Sequence, residues 1–118
     1  MTWKDALALG TELVLVTSSK KGKPNANVVI SKGFVDGKLL INNCQMSHTI
    51  RNIKANPAVC IVARKDGEYY RINGKAKSYA SGKYFVEAQK REKSYPVKSA
   101  IIIRIEKVFD LDKAKQLL

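Results

Sequence analysis

The sequence predicts an antiparallel β-sandwich or barrel with small helices between its strands. Three observations carry this. About six short runs are rich in β-branched and apolar residues, two Asp-Gly pairs join neighbouring runs, and Gly74 interrupts a long one. Asp-Gly suits a two-residue hairpin because both central residues take positive φ. A glycine within a strand marks a bulge or bend of the kind a barrel corner needs.

The elements follow in order. Thr2 can cap a short helix over Trp3–Leu9, with Trp3 and Leu7 on one face and Gly10 at its end. Leu13–Thr17 is the first strand. The Lys20–Pro24 turn leads to a second strand, Asn25–Ser31. Asp36-Gly37 joins Gly33–Val35 to a third strand, Lys38–Asn42. Ser47–Ala55 reads as a short helix with Ile50 and Ile53 on one face, closed by Asn56-Pro57. Ala58–Ala63 is unbroken and apolar, which predicts burial on both sides. Asp66-Gly67 leads into Tyr69–Tyr79. Ser81 is placed to cap a helix to about Lys90, with Tyr84, Phe85 and Ala88 toward the core. Lys98–Glu106 is the last long strand, and Asp110 or Asp112 can cap a final helical turn before Leu118.

Length and composition bound the function. The 118 residues fit one domain, 1–118. No run of about eighteen apolar residues suggests a membrane span, and the first residues lack a signal peptide's apolar stretch. The expected address is the cytoplasm. Cys44 and Cys60 have neither CxxC spacing nor a matching His pair, which argues against a zinc site or disulfide framework. Twenty-two Lys and Arg against ten Asp and Glu give a net charge of +12. Such a balance suits nucleic acid, an anionic cofactor or an acidic partner. The lysines are dispersed through turns and strands, so charge alone names no partner.

The most specific chemistry lies at Ile41–Pro57. A strand ends, and Ser47, His48 and Thr49 open a helix. A helix start presents unpaired N–H groups and a partial positive charge. Hydroxyls and a cation added there make a phosphate seat. A small β-barrel carrying such a seat predicts a phosphorylated cofactor.

Several segments together resemble the flavin-mononucleotide (FMN)-binding split-barrel family, the pyridoxamine 5'-phosphate oxidase-like proteins, and particularly its short members. These are Leu13–Ser18 followed by Gly22-Lys23-Pro24, Val35–Ile41, Ser47–Pro57, and Ile72–Ala76. Met46-Ser47-His48-Thr49 followed by Asn52 is similar to the family's phosphate loop. The resemblance implies a six-stranded antiparallel split β-barrel, mainly β with small helices. It also implies a homodimer with FMN bound between subunits. Phosphate would fall on Ser47, His48, Thr49 and Arg51, near Asn52. The isoalloxazine ring would lie along Asn27, Val28 and Val29, and against Asn42 and Asn43. Larger members place lysine or arginine in the loop where this chain has His48 and Thr49. The implied role is a flavin-dependent oxidoreductase or electron carrier, with a small-molecule or protein redox partner. No catalytic carboxylate or nucleophile stands out.

Each residue also has a plainer reading. Ser47 can be only a helix cap, worth on the order of 1 kcal/mol. His48, Thr49 and Asn52 can be ordinary helix residues, and Asn42 and Asn43 turn formers. Cys44 can be packing rather than redox-active. Arg71 and Arg104 can be surface ion pairs. Trp3 fits either a cover over a partner's flavin or an anchor for the first helix. Tyr69, Tyr70, Tyr79 and Tyr84 fit packing better than base stacking. Rival ligands on the same fold are a deazaflavin, or haem with His48 as its axial ligand. A second rival is a basic barrel holding single-stranded nucleic acid, which the resemblance weighs against.

Overall fold

The computed structural model describes residues 2–118. Six long strands form the barrel: β1 (Glu12–Ser18), β2 (Pro24–Val35), β3 (Lys38–Asn43), β4 (Ala58–Lys65), β5 (Glu68–Tyr79) and β6 (Ser99–Asp110). They run antiparallel in the order β3-β2-β1-β4-β5-β6, and β6 pairs with β3 to close the ring. Helix α1 (His48–Ala55) joins β3 to β4, and α2 (Lys83–Arg91) joins β5 to β6. A two-residue strand, β7 (Lys115–Gln116), pairs with the end of β6. This is the split barrel the resemblance implied.

Alternation builds the core. Leu13, Leu15, Val59, Ile61, Ile72, Ile101 and Ile103 point inward and are buried, as the period-2 geometry of a strand requires. Trp3 and Leu7 pack against this cluster, so Trp3 anchors the first turn. A smaller cluster outside the barrel, Leu40, Ala88, Ala100 and Ile102, seats α2. Arg91 fixes that helix further, its Nη1 donating to the carbonyls of Lys32 and Phe34 at 2.8 and 3.1 Å.

Both Asp-Gly turns form as expected, with positive φ at Asp36, Gly37, Asp66 and Gly67. Gly74 sits where the β5–β6 register shifts. A Cβ there would collide with the backbone carbonyl oxygen of Arg104. The barrel can therefore close at this corner only with glycine.

Several expectations are corrected. The first helix is a 3₁₀ turn over Trp3–Leu7, and the Gly10 N–H instead donates to the Ser31 carbonyl. The second strand does not end at Ser31. It continues to Val35 through a shift between Ser31 and Phe34. β4 is buried on one face only, with Cys60 and Val62 half-exposed on the other. An apolar run reveals burial but not how many faces are covered. α2 is preceded by Gly82, not capped by Ser81. Of its three expected core residues only Ala88 is buried. Phe85 is half-exposed, and the Tyr84 ring packs at a tilt of 55° against Tyr79, centroids 5.0 Å apart. β6 extends to Asp110. The expected final helical turn is instead a turn into β7, with the Asp110 carboxylate accepting from the N–H groups of Asp112 and Lys113.

No helix among the described residues is long and apolar enough to cross a membrane.

Candidate functional site

The sequence-predicted residues gather on one flank of the barrel, where β2, the end of β3, the start of α1 and the 92–98 loop meet. Six of them, Asn27, Val28, Val29, Asn42, His48 and Asn52, line two concavities with a polar bridge between them, and Asn43, Ser47, Thr49 and Arg51 line neither.

The first is a hollow of about 80 Å³ lined by Ser19, Lys23, Pro24, Asn25, His48 and Asn52. The β1–β2 turn delivers Lys23 here, and its N–H donates to Ser19 Oγ at 3.0 Å. Across the hollow stands the start of α1. Ser47 occupies the cap position but its side chain makes no capping bond, which corrects the expected cap. His48 and Ser47 are exposed. Arg51 is exposed on α1 and lines neither concavity.

Thr49 and Asn52 face inward and are committed to the protein. Asn52 donates to the buried Thr17 hydroxyl at 3.1 Å. The Thr49 hydroxyl donates to Asn27 Oδ1. Asn25 Nδ2 donates to Asn27 Oδ1 at 3.0 Å and to Thr49 Oγ1 at 3.3 Å. This Asn25–Asn27–Thr49 set ties β2 to α1. It also bridges the concavities, since Asn25 lines the hollow and Asn27 the neighbouring cleft.

That cleft consists of two adjoining spaces of about 370 and 430 Å³ that share Val28, Asn42, Cys44, Met46 and Tyr95. Val29 and Ile30 line the larger one with Lys32, Glu92 and Ser94. The Val29 side chain is in the core, so at this position the strand offers mainly backbone. Asn43 lies behind the wall. It donates to Ser99 Oγ at 2.9 Å, and its Oδ1 accepts from the Met46 N–H at 2.7 Å.

Asn42 has the most telling environment. Its Nδ2 donates to the Ala88 carbonyl and to Glu92 Oε1, each at 3.2 Å. Two acceptors fix which end is the amide nitrogen. Oδ1 is then buried with no partner, the one such side-chain atom among the described residues. An orphan of this kind costs about 1–3 kcal/mol, which marks the cleft wall as a place where stability is not maximised.

Glu92 organises the same wall. Its carboxylate lies 3.4 Å from Lys32 Nζ and accepts from the Ser94 N–H at 3.2 Å. Burial pushes this carboxyl up, but the Asn42 amide, the Ser94 N–H and the Lys32 ammonium outweigh it and hold the group below its ordinary range. Burial, then the Glu92 charge, push the Cys44 thiol up. Cys44 is therefore poorly ionised at neutral pH, as a packing residue would be.

Sequence reading missed Ser19, Lys23, Asn25, Lys32, Glu92 and Tyr95. Lys23 was legible only as part of a turn, and Glu92 only as a charge after a helix. Their shared location depends on the ring closing.

The outer face of β2, β1 and β4 carries a second signal. Val14 lies between Val28 and Val62 in register, and Val16 between Ala26 and Cys60. Val28 and Ile30 are 68% and 42% exposed. Val14, Val28 and Val62 also line a shallow concavity of about 600 Å³. Val28 thus belongs both to this apolar face and to the cleft.

The remaining candidates lie outside both the hollow and the cleft: Arg71, Arg104 and Tyr69 are on the surface and Tyr70 is in the core. Arg71 lies over the Phe109 ring at 4.9 Å, and Arg104 pairs with Glu106 at 3.2 Å. The Tyr70 hydroxyl donates to Glu68 at 2.7 Å.

Comparison with known proteins agrees with this architecture. The sequence profile described as pyridoxamine 5'-phosphate oxidase matches residues 3–112. The chain belongs to the pyridoxamine 5'-phosphate oxidase family. No curated protein matches it. Among solved structures, it is similar to HupZ of Group A Streptococcus at 24% identity, with a TM-score of 0.82 over 100% of this chain and 99% of that one. It is similar to an FMN-binding protein from Syntrophomonas wolfei subsp. wolfei at 16% identity, TM-score 0.74, covering 92% and 80% of the two chains. It is also similar to an F420 reductase at 19% identity, TM-score 0.70, covering 89% and 94%. At these identities the likenesses establish the fold.

Proposed function

We propose that residues 1–118 form one cofactor-binding domain that holds FMN and acts, as a cytoplasmic homodimer, as a flavin-dependent oxidoreductase or electron carrier. The observation that carries this is the pairing of a small cationic hollow with a larger cleft through the Asn25–Asn27–Thr49 bridge. A molecule suited to both would have a compact anion at one end and a flat, partly polar ring at the other.

The donor set fits such a group. Lys23, His48 and the first N–H groups of α1 would hold a phosphate carrying roughly −1.5 to −2 charge. Ser47, with no capping bond to make, has its hydroxyl free for the same role. Arg51 would act only as a nearby positive charge. The strand backbone at Asn27–Val29 and the Asn42 amide would meet the ring's polar edge. Thr49, Asn52 and Asn43 would hold these groups in place rather than touch the ligand. When bound, the flavin supplies hydride or single-electron chemistry itself. The chain's part is to fix the phosphate, orient the ring and wall off one side from water.

The apolar face supports the homodimer. Val14, Val28, Ile30 and Val62 form a stripe that a second copy would cover, and Val28 makes it continuous with the cleft. The cofactor would then lie at the seam between subunits. The redox partner, small molecule or protein, would approach the ring's open face.

The test is an absorption spectrum of the purified protein before and after FMN is added and the excess removed by gel filtration. About one flavin per chain, eluting at dimer mass, is the expected result. In Lys23→Ala, FMN should bind about tenfold more weakly while riboflavin, which lacks the phosphate, is unaffected. A colourless protein that refuses added FMN would overturn the reading, and spectra with a deazaflavin and with haem would then decide between those ligands.

A further inference from the structure

The segment after α2, residues 92–98, is anchored at both ends and carries an unexplained aromatic residue at its apex. At one end Glu92 is held by Lys32, Asn42 and the Ser94 N–H. At the other, the Lys98 N–H donates to the Asn43 carbonyl at 2.8 Å. Between them Tyr95 is 64% exposed, followed by Pro96, which restricts the backbone. Tyr95 lines both parts of the cleft, and it is the one aromatic ring among their lining residues. Facing it are Val28, Asn42, Cys44 and Met46. An exposed phenol ring at a cleft mouth, on a strap secured to β2 and β3, is poised as a stacking surface rather than as core.

Resting on the flavin reading above, we propose that Tyr95 is a binding residue that stacks against one face of the bound isoalloxazine ring, and that Glu92 is the positioning residue that holds its strap in place. Aromatic stacking favours offset, parallel rings and tolerates variation in the ligand's edge groups. Tyr95 therefore selects for a flat aromatic ligand, while the hollow selects for its phosphate. The phenol adds a property that stacking alone lacks. Held beside a photoexcited flavin, the Tyr95 phenol would give up one electron and regain it on recombination, so the stacked pair would emit little light with no net change.

The test uses the full chain with FMN and reads two quantities, affinity and the emission of bound flavin. The wild type should bind FMN with strongly quenched emission. Tyr95→Phe keeps the ring but removes the easily oxidised phenol. It should leave affinity within about twofold and restore emission. Tyr95→Ala should restore emission and weaken binding about tenfold. Glu92→Gln should recover part of the emission with Tyr95 intact, a change that a merely structural carboxylate far from the ring would not produce. Because Tyr95 is exposed, neither Tyr95 variant should disturb the fold. Unchanged affinity and emission in both would overturn the proposal while leaving the flavin reading standing. A wild type that binds no FMN would overturn both.

Discussion

The interior of the barrel and its β2–β3 flank are built by opposite rules. Inside, branched aliphatic residues such as Leu15, Ile61, Ile72 and Ile103 are fully buried, and among the described residues no buried side-chain polar atom there lacks a partner. On the flank, polar side chains are chained to one another: Asn25 to Asn27 to Thr49, and Asn42 to Glu92 to Lys32. One of them, Asn42, keeps an unpartnered oxygen, and next to them Val28 faces outward. The interior gains from every group it hides. The flank tolerates an orphaned acceptor and exposed apolar surface, which is the basis of the ligand and second copy proposed for it above.

The largest effect should come from the interior. Gly74→Ala places a Cβ against the Arg104 backbone, which can relieve the collision only by opening the β5–β6 corner. A loss of about 3 kcal/mol is expected, read as an earlier unfolding midpoint in urea. A midpoint equal to wild type would mean that the corner is not a close-packed part of the ring.

Thr49→Val probes the bridge. It removes the hydroxyl bonded to Asn27 and Asn25 while keeping the residue's volume. Stability should fall by about 1 kcal/mol, whereas Ser47→Ala, at an exposed site with no capping bond, should leave the midpoint unchanged. Equal effects from the two would dissolve the distinction between holding residues and contact residues on this flank.

The smallest effect is acid sensitivity. The folded-state pKa of Glu92 lies below its ordinary 4.5. Its contribution is therefore present above pH 4.5 and is lost as the pH falls through the lower, folded value. Urea midpoints measured down that range should fall less steeply in Glu92→Gln than in wild type. Parallel curves would remove Glu92 from the wall's supports.

Much of this protein is determined by sequence alone, because the responsible signals are local. Asp36-Gly37 and Asp66-Gly67 dictate tight hairpins through backbone sterics, Gly74 marks a corner, and alternating aliphatics assign the inner face. The residues at Ser47–Asn52 disclose a helix start. What local signals cannot give is partnership across the closed ring. The sequence does not reveal that Thr49 would be spent on Asn27, that Lys23 would face His48 across a hollow, or that Glu92, fifty residues from Asn42, would bond to it. Nor does an apolar run at Ala58–Ala63 disclose that Val62 would face outward beside Val14. Those arrangements depend on register and on β6 reaching β3. Periodicity fixes which way a side chain points along its own strand, but only closure of the barrel decides what stands opposite.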